Sequence, residues 1–306
     1  MKFFILGGTG FIGSHFIAKA LNAGHEVTAL VRSDKGAKQL KAIAETAHAQ
    51  ITLVTGDGTV PGPWQTELAK AGAIVNLAGI HIVRNWTSKI KEEIYDSRIL
   101  TTNNVVAAAR SSQVLINASA IGYYGFHPAE IVLTEEAPAG QGFLASVCKA
   151  WENEALAGSK KGMRVVVTRL GIVLGHGGMI ENMARMFRHF IGGQVGSGRQ
   201  AFSWIHLDDL LSALFFCLEN AKSEGTYNVC SPYSARSVEV TQILSRTFHT
   251  AILPIPSCML KIAMGEAVDV LIQGQNVYPK RLLQEGFTFD FPKLEAAIQH
   301  LINTQK

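Results

Sequence analysis

The sequence predicts an α/β fold in which helices cover both faces of a doubly wound parallel sheet. Short apolar segments alternate with helical stretches along much of the chain, and these segments contain few polar residues, which is typical of strands buried on both faces. A glycine-rich loop at residues 7–13 joins the first segment to the first helix. Because ligands bind at the carboxyl ends of the strands in such a sheet, we expect the functional site there.

The glycine loop is the most informative stretch of the chain. It reads Gly-Gly-Thr-Gly-Phe-Ile-Gly directly after a buried strand at Lys2–Leu6, and a helix begins near Phe11. Gly7 and Gly10 leave no side chain in the way of a pyrophosphate, and Gly13 lets the helix pack closely on the sheet. The N-terminal end of that helix favours an anion through its dipole and its unpaired N–H groups. The loop therefore predicts a dinucleotide-binding site.

The residue that follows the second strand indicates which dinucleotide binds. The first helix continues from Ser14 to about Ala23, and the second strand follows at Glu26–Val31. NAD-specific folds place an acidic residue at the end of this strand, whereas this chain has Arg32, whose guanidinium can pair with a 2′-phosphate. NADP is therefore the expected cofactor, and the nearby Asp34 keeps NAD open.

The remaining strands and helices complete the sheet and its cover. The expected elements are strands at Gln50–Val54, Ala73–Leu77, Val114–Ala118, Arg164–Leu170 and Gly225–Cys230, and helices at Ser88–Ala109 and Phe143–Ala157. Asp57 follows the third strand and is expected beside the adenine, and small residues after the fourth strand let the backbone approach the cofactor. The expected cofactor contacts in these turns are Gly7, Thr9, Gly10, Phe11, Ile12, Gly13, Arg32, Asp57, Leu77, Ala78 and Gly79.

The regular alternation of strands and helices stops after residue 170. Residues 1–170, joined by strands and helices from about 203–230, are expected to form a Rossmann-like, NADP-binding domain. Residues 171–202 are rich in glycine around a helical stretch at Met179–Phe190, and residues 231–306 contain short helices and turns punctuated by proline. We expect these two segments to form a small, substrate-facing C-terminal lobe that packs on the first domain.

Composition excludes several classes of function. The chain has 306 residues, of which 47% are hydrophobic, so it can bury a large core, and its net charge is only +4. Lysines and arginines are scattered without a basic stripe, so nucleic acid is not an expected partner. No apolar run reaches the length of a membrane span, and no Cys/His cluster has the spacing of a metal site, so neither a membrane nor a metal is expected.

The cysteines indicate a reducing compartment. Cys148, Cys217, Cys230 and Cys258 are widely spaced and lie in apolar segments. We therefore interpret them as small buried hydrophobic residues rather than as disulfide partners. The expected location is the cytoplasm, because the apolar N-terminal run is too short for a signal peptide.

Several short motifs are spread along the chain. They are Gly-Gly-Thr-Gly-Phe-Ile-Gly at 7–13, Asn-Leu-Ala-Gly at 76–79, Ser-Ala-Ile-Gly-Tyr-Tyr-Gly at 119–125, Arg-Leu-Gly-Ile-Val-Leu-Gly at 169–175, Trp-Ile-His-Leu-Asp-Asp at 204–209 and Gly-Gln-Asn-Val-Tyr-Pro-Lys-Arg at 274–281. Together they resemble the short-chain dehydrogenase/reductase superfamily in its extended form. The resemblance is greatest to the atypical branch labelled epimerase family protein, or NAD-dependent epimerase/dehydratase-like, and it covers essentially the full length.

The resemblance implies a serine, a tyrosine and a lysine that act together with a nicotinamide cofactor. The last two are spaced Tyr-x-x-x-Lys on one helix, where the lysine lowers the pKa of the tyrosine and holds the nicotinamide ribose. The resemblance places Lys149 at the lysine position and Ser119 at the serine position, but Ala145 stands where the tyrosine is expected. It also implies backbone contacts to the nicotinamide from Gly171, Ile172 and Val173.

Because alanine cannot transfer a proton, three alternatives stay open. Tyr123 or Tyr124, just beyond the fifth strand, can supply the phenol from the opposite wall of the cleft. Ser146 lies on the right helix but is a far poorer acid. In the third alternative, the chain binds NADP without converting a substrate.

Two functions from different classes are therefore expected. The first is an NADP-dependent oxidoreductase or epimerase that acts on a small hydroxyl or carbonyl compound through Ser119, a tyrosine and Lys149. The second is a non-catalytic NADP-binding protein that senses redox state or serves as a scaffold. A homodimer is consistent with the resemblance. The candidate substrate contacts are Arg199, Trp204 and His206.

Overall fold

The fold is built from strands and helices that alternate through most of the chain. The computed structural model describes residues 1–256, 260, 261 and 265–304. The strands are β1 Lys2–Leu6, β2 Glu26–Val31, β3 Ile51–Thr55, β4 Ala73–Asn76, β5 Val114–Ala120, β6 Val132–Leu133, β7 Arg164–Leu170, β8 Ile172–Leu174, β9 Gly193–Val195, β10 Ala201–Phe202, β11 Trp204–His206, β12 Gly225–Val229, β13 Ala235–Arg236, β14 Leu253–Ile255 and β15 Asn276–Val277. The helices are α1 Phe11–Asn22, α2 Asp34–Thr46, α3 Trp64–Leu68, α4 Ser88–Ala108, α5 Phe143–Leu156, α6 Met179–Arg188, α7 Leu207–Glu219, α8 Ser237–Phe248, α9 Asp269–Ile272, α10 Lys280–Gln284 and α11 Leu294–Asn303.

Seven of these strands form one parallel sheet in the order β12-β7-β5-β4-β1-β2-β3. β1 lies inside the sheet, where Phe3 is paired with Val27 of β2 on one side and with Ala73 of β4 on the other. The order of the strands reverses between β1 and β4, which is the point where a doubly wound sheet opens a crevice for ligands. The predicted doubly wound, Rossmann-like sheet is confirmed.

Alternation along β1 explains why helices cover both faces of the sheet. Phe3 and Ile5 pack into one apolar core with helices α1, α2 and α7, while Phe4 and Leu6 pack into a second core with α3, α4 and α5. These four side chains are at most 1% exposed. A strand segment that contacts two apolar layers cannot place polar groups on either face, so its sequence reads as a continuous apolar run.

The segments after β7 build a smaller core of their own. Leu174 in β8, Phe187 in α6, Trp204 in β11, Leu244 in α8 and Ile298 in α11 belong to one buried cluster. Short sheets connect these segments: β8 pairs with β11 and β9 with β14 in parallel, and β10 pairs with β13 antiparallel. β6 and β15 form a further parallel pair. We call this cluster and the segments that form it the lobe.

Most predicted elements are present with their ends shifted by a residue or two. β5 differs in an instructive way, because it continues through Ser119 to Ala120 instead of ending at Ala118. The bounds of helix α7 could not be predicted from hydrophobic periodicity. Most of its residues are buried, so its sequence lacks the polar face that identifies an amphipathic helix.

The described residues also bear on membrane spans and on the cysteines. Among them, no helix combines the length and the hydropathy that crossing a bilayer requires. Cys148, Cys217 and Cys230 are buried free thiols, as predicted. Cys258 lies outside the described residues.

Candidate functional site

A cleft of about 240 Å³ opens at the carboxyl ends of β1, β2 and β4. The residues that line it are Leu6, Gly7, Thr9, Gly10, Leu30, Val31, Arg32, Ser33, Gly36, Asp57, Gly58, Thr59, Leu77, Ala78, Gly79, Ile80, Ser97 and Thr101. Most of the predicted cofactor contacts are among them. Phe11, Ile12 and Gly13 form the first turn of α1 behind the glycine loop instead of lining the cleft.

The glycine loop has no room for side chains. Gly7 has a φ of +78°, and a Cβ there would lie 2.6 Å from both the backbone carbon and the backbone oxygen of Leu77. A Cβ on Gly13 would lie 2.2 Å from the carbonyl oxygen of Gly7. Any other residue at either position would force the loop away from the sheet or α1 away from the loop. This close-packed backbone fits the pyrophosphate of a dinucleotide.

Helix α1 begins at the cleft without a side-chain cap. Its N-cap is Gly10, whose extended backbone, with φ −76° and ψ 171°, offers no side chain to the first N–H groups of the helix. The Gly10 N–H donates to the carbonyl oxygen of Gly7 at 3.0 Å, which closes the turn. The uncapped amides and the helix dipole together make this end positive, so it favours an anionic group.

Arg32 and Asp57 are exposed side chains of opposite charge that line the same cleft. The Oδ1 atom of Asp57 accepts hydrogen bonds from the backbone N–H and the hydroxyl of Thr59, at 2.9 Å and 2.8 Å. The backbone bond from Thr59, with a smaller contribution from the charge of Arg32, holds the pKa of the Asp57 carboxyl below its usual value. Asp57 is thus an ionised acceptor fixed by its own turn, and the Arg32 guanidinium presents planar donors that suit a phosphate.

Sequence reasoning missed several residues of the cleft. Ser33 caps α2 by accepting the N–H of Gly36 at 3.3 Å, which fixes the turn that follows Arg32. Ser97 and Thr101 lie one turn apart on α4 and line the cleft from that helix. The spacing of two hydroxyl residues at i and i+4 on a predicted helix is the signal that could have found them.

A second cavity, of about 280 Å³, lies between the carboxyl ends of β5 and β7 and the lobe. Gly171 and Ile172, predicted to contact the nicotinamide, belong to its lining. Val173 does not, because it is paired with Ile205 of β11 and packs in the large core. An adjoining cavity of about 270 Å³ shares part of this wall. The shared residues are Gly122, Phe126, Leu144 and Gln275.

A buried hydrogen-bond network lies at the ends of β5 and β7. Ser119 Oγ donates to Glu152 Oε1 at 2.6 Å, and Arg169 Nη1 donates to the hydroxyl of Tyr124 at 2.8 Å. The Tyr124 hydroxyl donates to Asn228 Oδ1 at 2.7 Å. Burial alone would lower the pKa of Arg169, but its hydrogen bonds to Glu152 and the charge of that carboxylate raise it on balance. Each of these side chains is at most 4% exposed.

This network argues against Ser119 and Tyr124 as groups that act on a substrate. Ser119 gives its proton to Glu152, so it cannot at the same time polarise a substrate oxygen. Burial raises the pKa of Tyr124 to about 12, although the charge of Arg169 opposes this effect. Tyr123 is half-buried, with its ring centroid 3.4 Å from Arg169 Cζ. In the part of the chain that the structure describes, neither phenol lines the cleft or the second cavity.

Helix α5 presents different residues to this region than the sequence predicts. Lys149 is exposed and lies outside the lining of all these cavities, so the structure does not bring it to Ser119. The positions that face Gly122 are Leu144 and Cys148: a Cβ on Gly122 would lie 3.6 Å from Leu144 Cβ and 3.8 Å from Cys148 Sγ. These two residues are four positions apart, like the predicted pair, but each lies one residue before Ala145 and Lys149.

Leucine and cysteine at these positions do not reproduce a tyrosine and a lysine. Leu144 has no proton to transfer, and burial raises the pKa of Cys148 to about 11, so its thiol is neutral near pH 7. The cation whose charge acts on this thiol is Arg98 of α4. Arg98 Nη2 donates to the carbonyl of Ile80, a cleft residue, at 3.1 Å. Positive charge is therefore supplied to this region from α4 and not from α5.

The predicted substrate contacts lie outside the lining of the cleft and of the second cavity, and two of them are buried. Trp204 is fully buried, and its Nε1 donates to the carbonyl of Tyr233 at 3.1 Å. His206 is 1% exposed, and its Nδ1 accepts the backbone N–H of Asp208 at 3.1 Å, so it caps α7. Both side chains therefore make hydrogen bonds within the protein, Trp204 in the lobe and His206 at the start of α7. Arg199 is exposed and lies outside the lining of the second cavity.

His206 also belongs to a small cluster with Asp208 and His300, whose potential ligand atoms lie within 4.8 Å of one another. Because Nδ1 of His206 accepts the Asp208 N–H, the proton of this neutral ring is on Nε2, which lies 3.2 Å from His300 Nδ1. Both ring nitrogens of His206 are therefore used in hydrogen bonds. We interpret the cluster as the cap of α7.

The sheet and the cleft define a Rossmann-like α/β protein with a cleft shaped for a dinucleotide. The sequence model of the NAD dependent epimerase/dehydratase family matches residues 3–230, and that of a domain of unknown function (DUF1731) matches residues 255–301. The chain belongs to the NAD-dependent epimerase/dehydratase family, and the predicted resemblance to extended short-chain dehydrogenases/reductases is confirmed.

Curated relatives share nearly the full length of the chain. The epimerase family protein SDR39U1 homolog, chloroplastic, of Arabidopsis thaliana is 35% identical over 97% of this chain and 86% of its own length. The epimerase family protein YfhF of Bacillus subtilis (strain 168) is 32% identical over 100% of this chain and 99% of its own length.

Solved structures agree with this assignment. The human epimerase family protein SDR39U1 (isoform 2), solved with NADPH, has a TM-score of 0.82 and 30% identity, covering 99% of this chain and all 100% of that one. A nucleoside-diphosphate sugar epimerase from Corynebacterium glutamicum has a TM-score of 0.78 and 28% identity, covering 99% of this chain and 58% of that one. The likeness to the UDP-glucose 4-epimerase of Thermus thermophilus, with a TM-score of 0.77 at 18% identity over 99% of this chain and 98% of that one, concerns the fold alone.

Proposed function

We propose that this chain binds NADP(H) in the cleft formed by the glycine loop and the ends of β2 and β4. Gly7 and Gly10 line the cleft without side chains that would block a pyrophosphate, and the uncapped end of α1 favours its charge. Arg32 offers the guanidinium that a 2′-phosphate requires, and NAD, which lacks this phosphate, is the weaker ligand. The NADPH in the structure of the human relative supports the same choice.

We propose further that the chain is an oxidoreductase or epimerase that acts on a small hydroxyl or carbonyl compound. When bound, a nicotinamide cofactor supplies or accepts a hydride. The observation that carries this proposal is the second cavity, whose lining includes Gly171 and Ile172 at the end of β7. It lies at the same edge of the sheet as the cofactor cleft, at the ends of β5 and β7, which are the second and third strands from β1. A protein that only bound a dinucleotide would need no such space beside it.

The groups that this chain contributes differ from the pattern of the superfamily. Tyr123 stays the candidate phenol of the two, because the proton of Tyr124 is committed to Asn228. To reach a ligand in either cavity, the Tyr123 ring has to turn away from Arg169. Ser119 and Glu152 hold the end of β5 against α5. Arg98, rather than Lys149, is the cation whose charge acts on Cys148 near the strand ends where the nicotinamide is expected.

A second function, NADP(H) binding without turnover, is favoured by the residues of α5 that face Gly122. Leu144 cannot transfer a proton, and the neutral thiol of Cys148 offers no cation for the nicotinamide ribose. In this alternative the chain senses redox state or serves as a scaffold, and the second cavity receives a ligand that is not converted.

Two measurements separate these functions. Titration of the purified protein with NADPH and with NADH, followed by tryptophan fluorescence, is expected to give tighter binding for NADPH. A panel of aldehydes, ketones and nucleotide sugars is then tested for NADPH oxidation through the loss of nicotinamide absorbance. Oxidation supports the enzyme, binding without oxidation supports the second function, and a natively folded protein that binds neither cofactor contradicts both.

A substitution tests the phenol once a substrate is known. Tyr123→Phe is expected to lower kcat by about a hundredfold or more, because general acid catalysis contributes that much. Tyr233→Phe changes an exposed tyrosine whose ring, unlike that of Tyr123, does not pack on Arg169, and it serves as the control. Equal kcat values for both variants would remove Tyr123 from the mechanism.

Location and assembly are also part of the proposal. We propose a cytoplasmic location, because the buried free thiols suit a reducing compartment. The name of the Arabidopsis relative places that protein in the chloroplast. A homodimer stays a prediction that light scattering after size-exclusion chromatography tests.

A further inference from the structure

The wall of the second cavity indicates what it can hold. It is built largely from aliphatic, thioether and aromatic side chains of the sheet ends and the lobe, such as Ile121, Leu144, Met179, Phe202 and Val240. Among the described residues that line it, none carries a charge. An apolar cavity of about 150 Å³ is sufficient for benzene, so this cavity of about 280 Å³ admits a ligand of roughly twice that size.

Among the described residues of this wall, one fully buried side-chain atom has no hydrogen-bond partner. Gln200 donates from Nε2 to the carbonyl of Leu271 at 2.9 Å, while its Oε1 is buried and unpaired. The neighbouring Ser203 is satisfied, because its Oγ donates to the carbonyl of Gln275 at 2.8 Å and accepts the N–H of Val277 at 2.9 Å. A buried oxygen without a donor is unfavourable. Because Gln200 lines the cavity, a turn of its amide towards the cavity lets this oxygen accept from a hydroxyl or N–H group of a ligand.

The surroundings of the cavity disfavour an anion. Glu266 and Asp269 line the adjoining cavity, and Glu266 is paired with Lys91 at 2.5 Å. No cation is among the described residues that line this adjoining cavity, so none of them balances the charge of Asp269. Arg199 precedes Gln200 in the chain but is exposed and outside the lining. A nucleoside diphosphate sugar carries negative charge on its diphosphate, and burying such a charge without a cation is strongly unfavourable.

We propose that the second cavity binds a neutral, largely apolar alcohol whose hydroxyl donates to Gln200 Oε1, and that it rejects nucleoside diphosphate sugars. The proposal rests on the proposed function only in treating this alcohol, or the carbonyl compound related to it by hydride transfer, as the substrate. Binding of the ligand itself does not require the cofactor, so the two can be tested separately.

Binding of the neutral fluorescent probe N-phenyl-1-naphthylamine to the full-length protein tests the apolar wall. The probe is expected to gain fluorescence on binding and to be displaced by 1-decanol, but not by UDP-glucose at the same concentrations. Leu144→Trp fills the cavity and is expected to weaken probe binding by at least about tenfold. Leu100→Trp, at an exposed position on α4, is the matched control and is expected to leave binding unchanged. Displacement by UDP-glucose, or equal affinity in a folded Leu144→Trp protein, overturns the proposal.

Gln200→Met tests the hydrogen bond without filling the cavity. It removes the buried acceptor at similar side-chain length, so it is expected to leave probe affinity within about twofold and to weaken displacement by 1-decanol about fivefold. Gln299→Met, on the exposed face of α11, is expected to change neither. Unchanged displacement by 1-decanol in Gln200→Met contradicts the assigned position of the hydroxyl.

NADPH titration of the same proteins keeps the two proposals distinguishable. A wild-type protein that binds NADPH but neither the probe nor 1-decanol contradicts the alcohol site alone. A protein that binds the probe and 1-decanol but neither nicotinamide cofactor contradicts the proposed function and leaves the alcohol site standing.

Discussion

Arg169 and Glu152 form a two-bond ion pair inside the molecule, with Nε 2.9 Å from Oε1 and Nη2 2.8 Å from Oε2. Both side chains are 4% exposed, so water cannot replace a lost partner. The pair joins β7 to α5 and also holds Ser119 and Tyr124, each of which is bonded to one of its members. Ser119 and Tyr124, which the motifs indicate as catalytic, are thus part of the hydrogen-bond network that joins the sheet to helix α5.

Loss of this pair is expected to lower the free energy of unfolding substantially. Glu152→Gln leaves the buried charge of Arg169 without a counterion, which costs about 3–5 kcal/mol. Urea denaturation followed by circular dichroism measures the change. Glu154→Gln alters the same chemistry on α5 at an exposed bond to Asn103 and is expected to cost less than about 1 kcal/mol. Similar losses in the two variants would contradict a structural role for the pair.

The sheet and the glycine loop could be predicted because their causes are local in sequence. Residues 3–6 contact apolar layers on both sides, which produces the continuous apolar run that sequence analysis detects. Gly7 and Gly13 stand at backbone contacts that admit no Cβ, so the glycine pattern itself records the geometry. These features required no knowledge of how distant elements pack.

Cofactor preference is expected to depend on Arg32. Arg32→Glu removes the guanidinium and is expected to weaken NADPH binding by about ten- to a hundredfold, which corresponds to the loss of charge-assisted hydrogen bonds. NADH binding is expected to be retained or improved, since a carboxylate at this position can accept from the ribose hydroxyl. Lys41→Glu, an exposed position on α2 outside the cleft, makes the same charge change as a control. If both variants shift the NADPH-to-NADH ratio equally, net charge and not Arg32 sets the preference.

The contact between α1 and the glycine loop is expected to tolerate no methyl group. Gly13→Ala would place a Cβ 2.2 Å from the carbonyl oxygen of Gly7, so it is expected to destabilise the protein by about 1–3 kcal/mol and to weaken NADPH binding by at least about tenfold. Gly72→Ala, whose Cβ would have its nearest neighbour at 3.7 Å, is the control. Denaturation and fluorescence titration measure both effects. Wild-type affinity in Gly13→Ala would show that the loop does not hold the cofactor.

The orientation of α5, that is, which of its residues face Gly122, could not be predicted from the sequence. It depends on Trp151 and Glu152, which pack against α4 and pair with Arg169, and these contacts are distant in sequence. Neither possible register contains the tyrosine that would have anchored the alignment. The structure therefore turns Cys148, and not Lys149, towards Gly122. Sequence analysis also missed residues that line the second cavity. Gln200, for example, belongs to none of the motifs.

The orientation of α5 has a direct consequence for Lys149. Lys149→Met is expected to change the dissociation constant of NADPH by no more than about twofold, because the side chain is exposed outside the cleft. Arg98→Met removes the donor to the carbonyl of Ile80 in the cleft wall and is expected to weaken binding about fivefold or more. A large loss of affinity in Lys149→Met would restore the lysine position inferred from the motif.

The stability of the protein is expected to fall in mild acid because of His206. Burial lowers the pKa of His206 to about 4, and the positive forms of His300 and His176 act in the same direction, while Asp208 and Asp290 oppose it. An unfolded histidine has a pKa of about 6.5, so between about pH 6.5 and pH 4 the unfolded chain binds a proton that the folded chain does not. The free energy of unfolding contributed by this group is therefore fully present above pH 6.5 and falls by up to about 1.4 kcal/mol per pH unit towards pH 4.

Asparagine at this position separates the titration of His206 from its role as the cap of α7. His206→Asn retains a side chain that can accept the N–H of Asp208 but cannot titrate, so urea denaturation from neutral pH to pH 4.5 is expected to give a shallower decline than in wild type. His48→Asn is the matched control, because His48 is exposed and its φ of +49° suits asparagine. Parallel curves for His206→Asn and wild type would assign the acid sensitivity to other groups.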